Sequence, residues 1–249
     1  MMVVATVAFC IGGCLLGGAG IFLLLNVGDY QSLRTLRRLR VRSVAQAGGG
    51  RVAVEGHIEY GPAGPQTAPV TAEQCAWFHV RLIREPSRHY TSSDDPDHDV
   101  LLDFSSPGGF TLADHSGRVP VDPALLDVLN TTGPSVAVHT KIMHKRSKPE
   151  TLPPVVPREI VDDLRKSERL TLTETRVPRG AQVFALGRLS NGELKRSFAG
   201  LTVFSSNSRD KVIASRKDDI GLGARMVVGF GLAGLILAAG SAAYLTTLA

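Results

Sequence analysis

The sequence predicts a membrane-anchored, mostly-β (α+β) domain, barrel- or sandwich-like, set between two transmembrane helices. Three observations predict it. Neither end of the chain carries any Lys, Arg, Asp or Glu, from Met1 to Val27 and from Met226 to Ala249. The interior instead alternates apolar and polar residues with a period of two, most clearly in RVAVEGHIEY and CAWFHVRLIRE. Stretches rich in Pro and Gly, or strongly polar, separate these alternating runs, as turns separate strands.

An α-helix needs roughly 20 apolar residues to cross about 30 Å of hydrocarbon. Both charge-free ends exceed that length, and the last 24 residues are mostly Ala, Val, Leu, Ile and Gly. The expected organisation is a transmembrane helix over 3–27, a basic juxtamembrane helix over 28–47, a β-rich domain over 50–215 and a second transmembrane helix over 225–248.

The formal charge of +5 is concentrated after the first span, in TLRRLRVR. Read as a helix, that segment puts Leu33, Leu36 and Leu39 on one stripe and Arg34, Arg38 and Arg42 on another. With Arg37 and Arg40 these arginines form a membrane-surface set, where each basic residue gains about 1 kcal/mol from anionic lipid. Nucleic acid is not an expected partner, because the basic residues are not interleaved with aromatics over a broad surface. Arg34 to Arg42 follow the first span, and Lys211, Arg216, Lys217 and Arg225 precede the second. By the rule that basic flanks stay inside, residues 28–225 are expected to face the cytoplasm of a bacterial cell, with both termini across its membrane.

Two of the three cysteines lie in VAFCIGGCLLGGAGIFLLLN, residues 7–26. A lipid-attachment box would explain IGGC, but no basic residue precedes the apolar run and the run continues past Cys14. A structural zinc site needs about four ligands, and Cys75 is far away in the chain. The remaining reading is a helix-packing seam of Cys10, Gly13, Gly17 and Gly20, containing one GxxxG. Its partner would be the second span, through Gly229 and Ala233, or a second copy of the chain in a homo-oligomer.

Within the domain, Val52, Val54 and Ile58 share one face of a first strand, with Gly56 marking a bulge or a close approach. CAWFHVRLIRE is a second strand, and its Trp77 reads as core. SRHYTSSDDPDHD, residues 87–99, is too polar to bury and reads as a hairpin tip. Shorter strands are expected in VLLDF, GFTLAD, RVPV and SVAVHTKI, and a helix in PREIVDDLRK. TLTETRVPRGAQVFALGRL then reads as strand, turn, strand, and its VFALG at 183–187 echoes VAVEG at 52–56. Two similar units suggest a barrel of the oligonucleotide-binding type or a sandwich, with one helix packed on it.

The order VEG, proline-bearing loop, CAWFHVRL, FTLADHSGRVPVDP and TETRVPRGAQVFALGRL resembles the GIDE, or "beside-a-membrane", domain. That domain occurs in Mulan-type mitochondrial membrane ubiquitin ligases and in shorter prokaryotic relatives that lack the RING finger. The resemblance covers roughly residues 50–205 and both spans. It implies span, domain and second span, and in the animal members a zinc-bound RING that transfers ubiquitin. No cysteine follows Cys75 here, so the ligands a RING requires are missing from this sequence.

No catalytic constellation is expected. His57, His79, His139 and His144 lie in or beside strands and read as structural. DDPDHD, residues 94–99, could hold a hard cation through oxygens, but reads first as a solvated loop. Asp114, His115 and Ser116 are adjacent, whereas a triad is assembled from separate segments; Asp114 and Gly117 read as turn residues. The functional expectation is therefore a non-catalytic interaction or scaffold module held beside the membrane, binding lipids and an unidentified protein, with no cofactor and no metal. The alternatives are a ubiquitin-ligase-like component acting with a separate catalytic partner, and a membrane-bound metal hydrolase built on the 94–99 loop.

Overall fold

The computed structural model describes residues 2–89, 96–126, 134–197 and 200–246. The chain divides into a helical unit, formed by the segments before Val41 and after Ser208, and a β unit spanning Val41–Ser208.

The helical unit consists of α1 (Met2–Arg38) and α3 (Arg209–Thr246), two antiparallel helices. Their register is fixed at several levels. The Arg209 guanidinium donates to the Leu36 carbonyl at 2.9 Å and the Leu39 carbonyl at 3.2 Å, satisfying acceptors that the end of α1 leaves open. Arg216 pairs with Asp29 at 2.6 Å, and the Phe22 and Phe230 rings lie 5.7 Å apart. Gly12 meets Gly234 and Ala238 so closely that a Cβ there would stand 2.6 Å from the Ala238 nitrogen. Ala5, Gly12, Ala19 and Leu33, all buried, recur at multiples of seven, the repeat of a left-handed helix pair. Both described helix tips, near Met2 and Thr246, thus lie at the same end of the pair.

The contact between α1 and α3 runs one residue away from the expected Gly13 stripe. Gly13, Gly17 and Gly20 have no atom within 4 Å of a Cβ position, the same holds at Gly229, and Cys10 is exposed. One residue along a helix is about 100° of rotation, so a stripe beginning at Gly13 faces away when Gly12 faces the partner. The basic segment differs as well. Residues 28–38 continue α1 without a break; the chain then bridges Val41 to Ala53 and makes a 3-10 turn at Val44–Gln46. Within the helix Leu33 and Leu36 are buried while Arg34, Arg37 and Arg38 are exposed; half-buried Leu39 and exposed Arg40 and Arg42 lie beyond its end.

In chain order the β unit contains β1 (Gly50–Glu59), β2 (Gln66–Thr67), β3 (Gln74–Cys75), β4 (Trp77–Glu85), β5 (Asp99–Ser105), β6 (Phe110–Ala113) and β7 (Arg118–Val121). β8 (Val138–Lys145), α2 (Arg158–Asp162), β9 (Arg169–Val177), β10 (Gln182–Ser190), β11 (Glu193–Lys195) and β12 (Val203–Ser205) follow. Five strands close a ring in the order β1-β6-β7-β11-β10 and back to β1, with β12 added beside β10. Every contact in the ring is antiparallel except β7 with β11, joined through Val121 and Leu194. This is the strand order of an oligonucleotide-binding-type barrel, a statement about connectivity rather than function.

The echoed segments pair with each other across this barrel: Val52 lies opposite Gly187, Val54 opposite Ala185 and Gly56 opposite Val183. Each glycine marks the point where its strand turns to a new neighbour. A Cβ on Gly56 would stand 2.3 Å from the Ala113 oxygen, and one on Gly187 2.7 Å from the Lys195 oxygen. The barrel core gathers Val52, Val54, Ile58, Phe110, Leu112, Val183, Ala185 and Phe204, with Trp77 buried among them as expected.

The remaining long strands are insertions into the barrel. β4 and β5 interrupt the β1–β6 connection and β8 and β9 the β7–β10 connection; together they form a second antiparallel sheet, β5-β4-β9-β8. One face buries Val80, Leu82, Leu170 and Leu172 under Val156 and Leu164, with α2 residues Ile160 and Val161 at its margin. The anticipated helix is short, five residues after Pro157.

Candidate functional site

The apolar surface of the helical unit is its largest chemical feature. Val3, Val4, Leu24, Leu25, Leu235 and Ile236 point outward with 60–75% of their surface exposed. The contacts between the helices include the close approach of Gly12 to Gly234 and Ala238, the Phe22–Phe230 rings and the polar groups of Asn26, Asp29, Arg209 and Arg216. An apolar exterior over such a seam inverts the usual soluble arrangement. Both helices are long and apolar enough to cross a bilayer.

In the second sheet the solvent-facing side carries the residues with chemical potential. Register aligns Ser105, His79, Thr175 and His139 in one row and Asp103, Arg81, Thr173 and Lys141 in the next. His79 Nε2 lies 2.7 Å from Asp103 Oδ1, and His139 Nδ1 lies 3.0 Å from the Thr175 hydroxyl. His57 is 3.5 Å from Glu59. The histidines are dispersed, each engaged locally.

Asp94 and Asp95 of the acidic loop lie outside the described residues. Asp99 is already occupied: the Arg88 N–H donates to it at 3.0 Å, the Ser87 hydroxyl at 2.5 Å and Arg84 at 2.6 Å. These bonds hold its carboxyl well below the ordinary carboxylate range. Arg88 extends the network, donating to Glu168 at 2.7 Å and to Asp163 at 2.5 Å. The Arg88 guanidinium pulls the buried Glu168 carboxyl down to about 2 against the opposing effect of burial. This lattice fastens the base of the β4–β5 connection to the turn before β9. Among the described residues, no group of three or more His, Cys, Asp or Glu is placed to hold a metal ion.

Asp114 has the turn role expected of it. Burial would raise its pKa, but the Ser116 hydroxyl and the Val44, Ser116 and Gly117 N–H groups hold it near about 2. One carboxylate thus closes the β6–β7 turn and anchors the 3-10 segment through Val44 at 2.8 Å. Cys75 is fully buried, and burial followed by the neighbouring Glu174 charge raises its thiol pKa, the opposite of an activated nucleophile. Glu174 accepts the Val70 N–H and the Thr71 hydroxyl, both at 2.6 Å, which pins the loop beside it.

Sequence reasoning missed the Arg88–Glu168 lattice, whose partners are 80 residues apart. His144, read as structural, is buried with its Nδ1 2.7 Å from the Glu150 carbonyl oxygen. His144 lines a cavity of about 430 Å³ beside α2, a grouping that no local pattern announces. Compared with family models, curated proteins and solved structures, the chain matches none.

Proposed function

We propose that this chain is a two-span membrane protein whose β unit acts as a GIDE-like interaction module held beside the lipid, working by binding rather than by catalysis. The observation that carries the reading is the outward apolar surface of α1 and α3, which hydrocarbon would cover. The β unit is connected at both ends to these helices, so tethering would raise its effective concentration toward membrane-bound partners. The family reading rests on the order of its motifs along the sequence, VEG, CAWFHVRL, FTLADHSGRVPVDP and TETRVPRGAQVFALGRL. The exposed arginines at the end of α1 support a cytoplasmic β unit contacting anionic lipid headgroups.

Photo-crosslinking in native membranes tests the binding role, with the photoreactive residue at exposed Lys141 and, separately, at exposed Arg81. A discrete protein adduct that forms with the membrane-held chain supports the module. Absence of any adduct from several exposed positions contradicts it. Sidedness follows from a Lys141→Cys chain lacking Cys10 and Cys14, since the buried Cys75 is shielded from reagents. A membrane-impermeant maleimide should label it in inside-out vesicles and not in right-side-out ones; the reverse pattern overturns the orientation.

A further inference from the structure

Beside α2 a cavity of about 430 Å³ opens at the edge of the second sheet's core, within the ~300–1,000 Å³ usual for small-molecule sites. Its apolar wall is Leu152, Val156 and Val161, and its polar groups include His144, Arg158 and Asp162. His144 is 8% exposed, so its ring is held rather than solvated. Its Nδ1 lies 2.7 Å from the Glu150 carbonyl oxygen. A carbonyl only accepts, so Nδ1 carries a proton and donates it. Arg158 and Asp162, both exposed, lie one helical turn apart on α2 at the rim of the cavity. The lining therefore combines one guanidinium residue, Arg158, two carboxylate residues, Glu150 and Asp162, and an apolar wall within one small volume.

We propose that this cavity is a binding site for a small zwitterion with an apolar side chain, either a free α-amino acid or a short peptide. The ligand's carboxylate pairs with Arg158, its ammonium with the carboxylates of Asp162 and Glu150, and its side chain packs on Leu152, Val156 and Val161. Each ligand group then meets its complement, and neither charge enters the apolar wall unpaired. The site lies wholly within the β unit and stands whether or not the interaction role does.

Isothermal titration of the full chain in lipid nanodiscs tests it, with L-leucine and leucyl-leucine as probes and with leucinamide and 4-methylpentanoate, which lack the carboxylate and the ammonium. The expected result is saturable binding of leucine or leucyl-leucine, weakened at least tenfold for both truncated probes. Arg158→Gln should lose at least tenfold in affinity, and Leu152→Trp, which fills the cavity, should abolish binding. Tighter binding of leucyl-leucine identifies a peptide ligand, and tighter binding of leucine a free amino acid. With histidine labelled in 15N, the His144 ring resonances should shift on saturation. No saturable binding of either zwitterion overturns the proposal, as does binding that leucinamide matches or that survives Arg158→Gln and Leu152→Trp unchanged.

Discussion

Replacing Gly12 by isoleucine should force α1 and α3 apart, while the same change at Gly13 or Gly17 should not. A Cβ at Gly12 would lie 2.6 Å from the Ala238 nitrogen, 2.8 Å from the Gly234 oxygen and 3.0 Å from the Ala238 Cβ. Two of these neighbours are helix backbone, which cannot rotate away as a flexible side chain can. Ordinary contact needs roughly 3.5 Å, so the helices must separate locally by about 1 Å, and the rest of the branched side chain adds to that. Overpacking of this kind costs about 1–3 kcal/mol. A Cβ at Gly13 or Gly17 meets nothing within 4 Å. Spin labels on exposed Cys14 and on a cysteine replacing exposed Leu232, in a chain lacking Cys10, would report the separation in nanodiscs by double electron–electron resonance. A narrow parent distribution should broaden and lengthen with Gly12→Ile and stay narrow with Gly13→Ile and Gly17→Ile. If Gly12→Ile left the distance unchanged while Gly13→Ile widened it, the seam would be the stripe containing Gly13 and the helix register described here would be wrong.

Two further outcomes follow from the β unit. Glu168 has a folded pKa of about 2, below the ordinary glutamate value, so its contribution is present above about pH 5 and is lost as pH falls toward 2. At 1.36 kcal/mol per pKa unit that contribution is at most about 3 kcal/mol; Glu168→Gln should lower neutral-pH stability by a comparable amount and reduce the acid-limb slope by up to one proton, measured by urea unfolding from pH 6 to 2. An unchanged slope would remove Glu168 from the acid response. Gly56→Ala should destabilise the barrel by about 1–3 kcal/mol, because its Cβ would stand 2.3 Å from the Ala113 oxygen, whereas Gly48→Ala, with open space around it, should be tolerated. Equal melting temperatures for the two variants would refute the close approach.

Features governed by local pattern were legible in the sequence: two charge-free stretches, alternation placing Val52, Val54 and Ile58 inside, and Asp114 in a turn. The five-residue echo was a true sign of the barrel, since its two copies pair strand to strand. What escaped was non-local or rotational. A glycine-rich helix presents several small-residue stripes about 100° apart, and only the partner selects Gly12 over Gly13. The pairing of β4 and β5 with β8 and β9 joins two insertions remote in sequence, so no periodicity within either could reveal the second sheet. The Arg88–Glu168 lattice and the His144 cavity depend on that sheet and were hidden with it.

The proposed role beside the membrane depends on α1 and α3 lying within a bilayer. Alkaline carbonate extraction of membranes from cells expressing the full chain, followed by flotation of the pellet, tests this most directly. The protein should stay with the lipid through extraction and float with it. Release into the carbonate supernatant as a monodisperse, detergent-free protein would show that the outward valines and leucines are covered by something other than lipid.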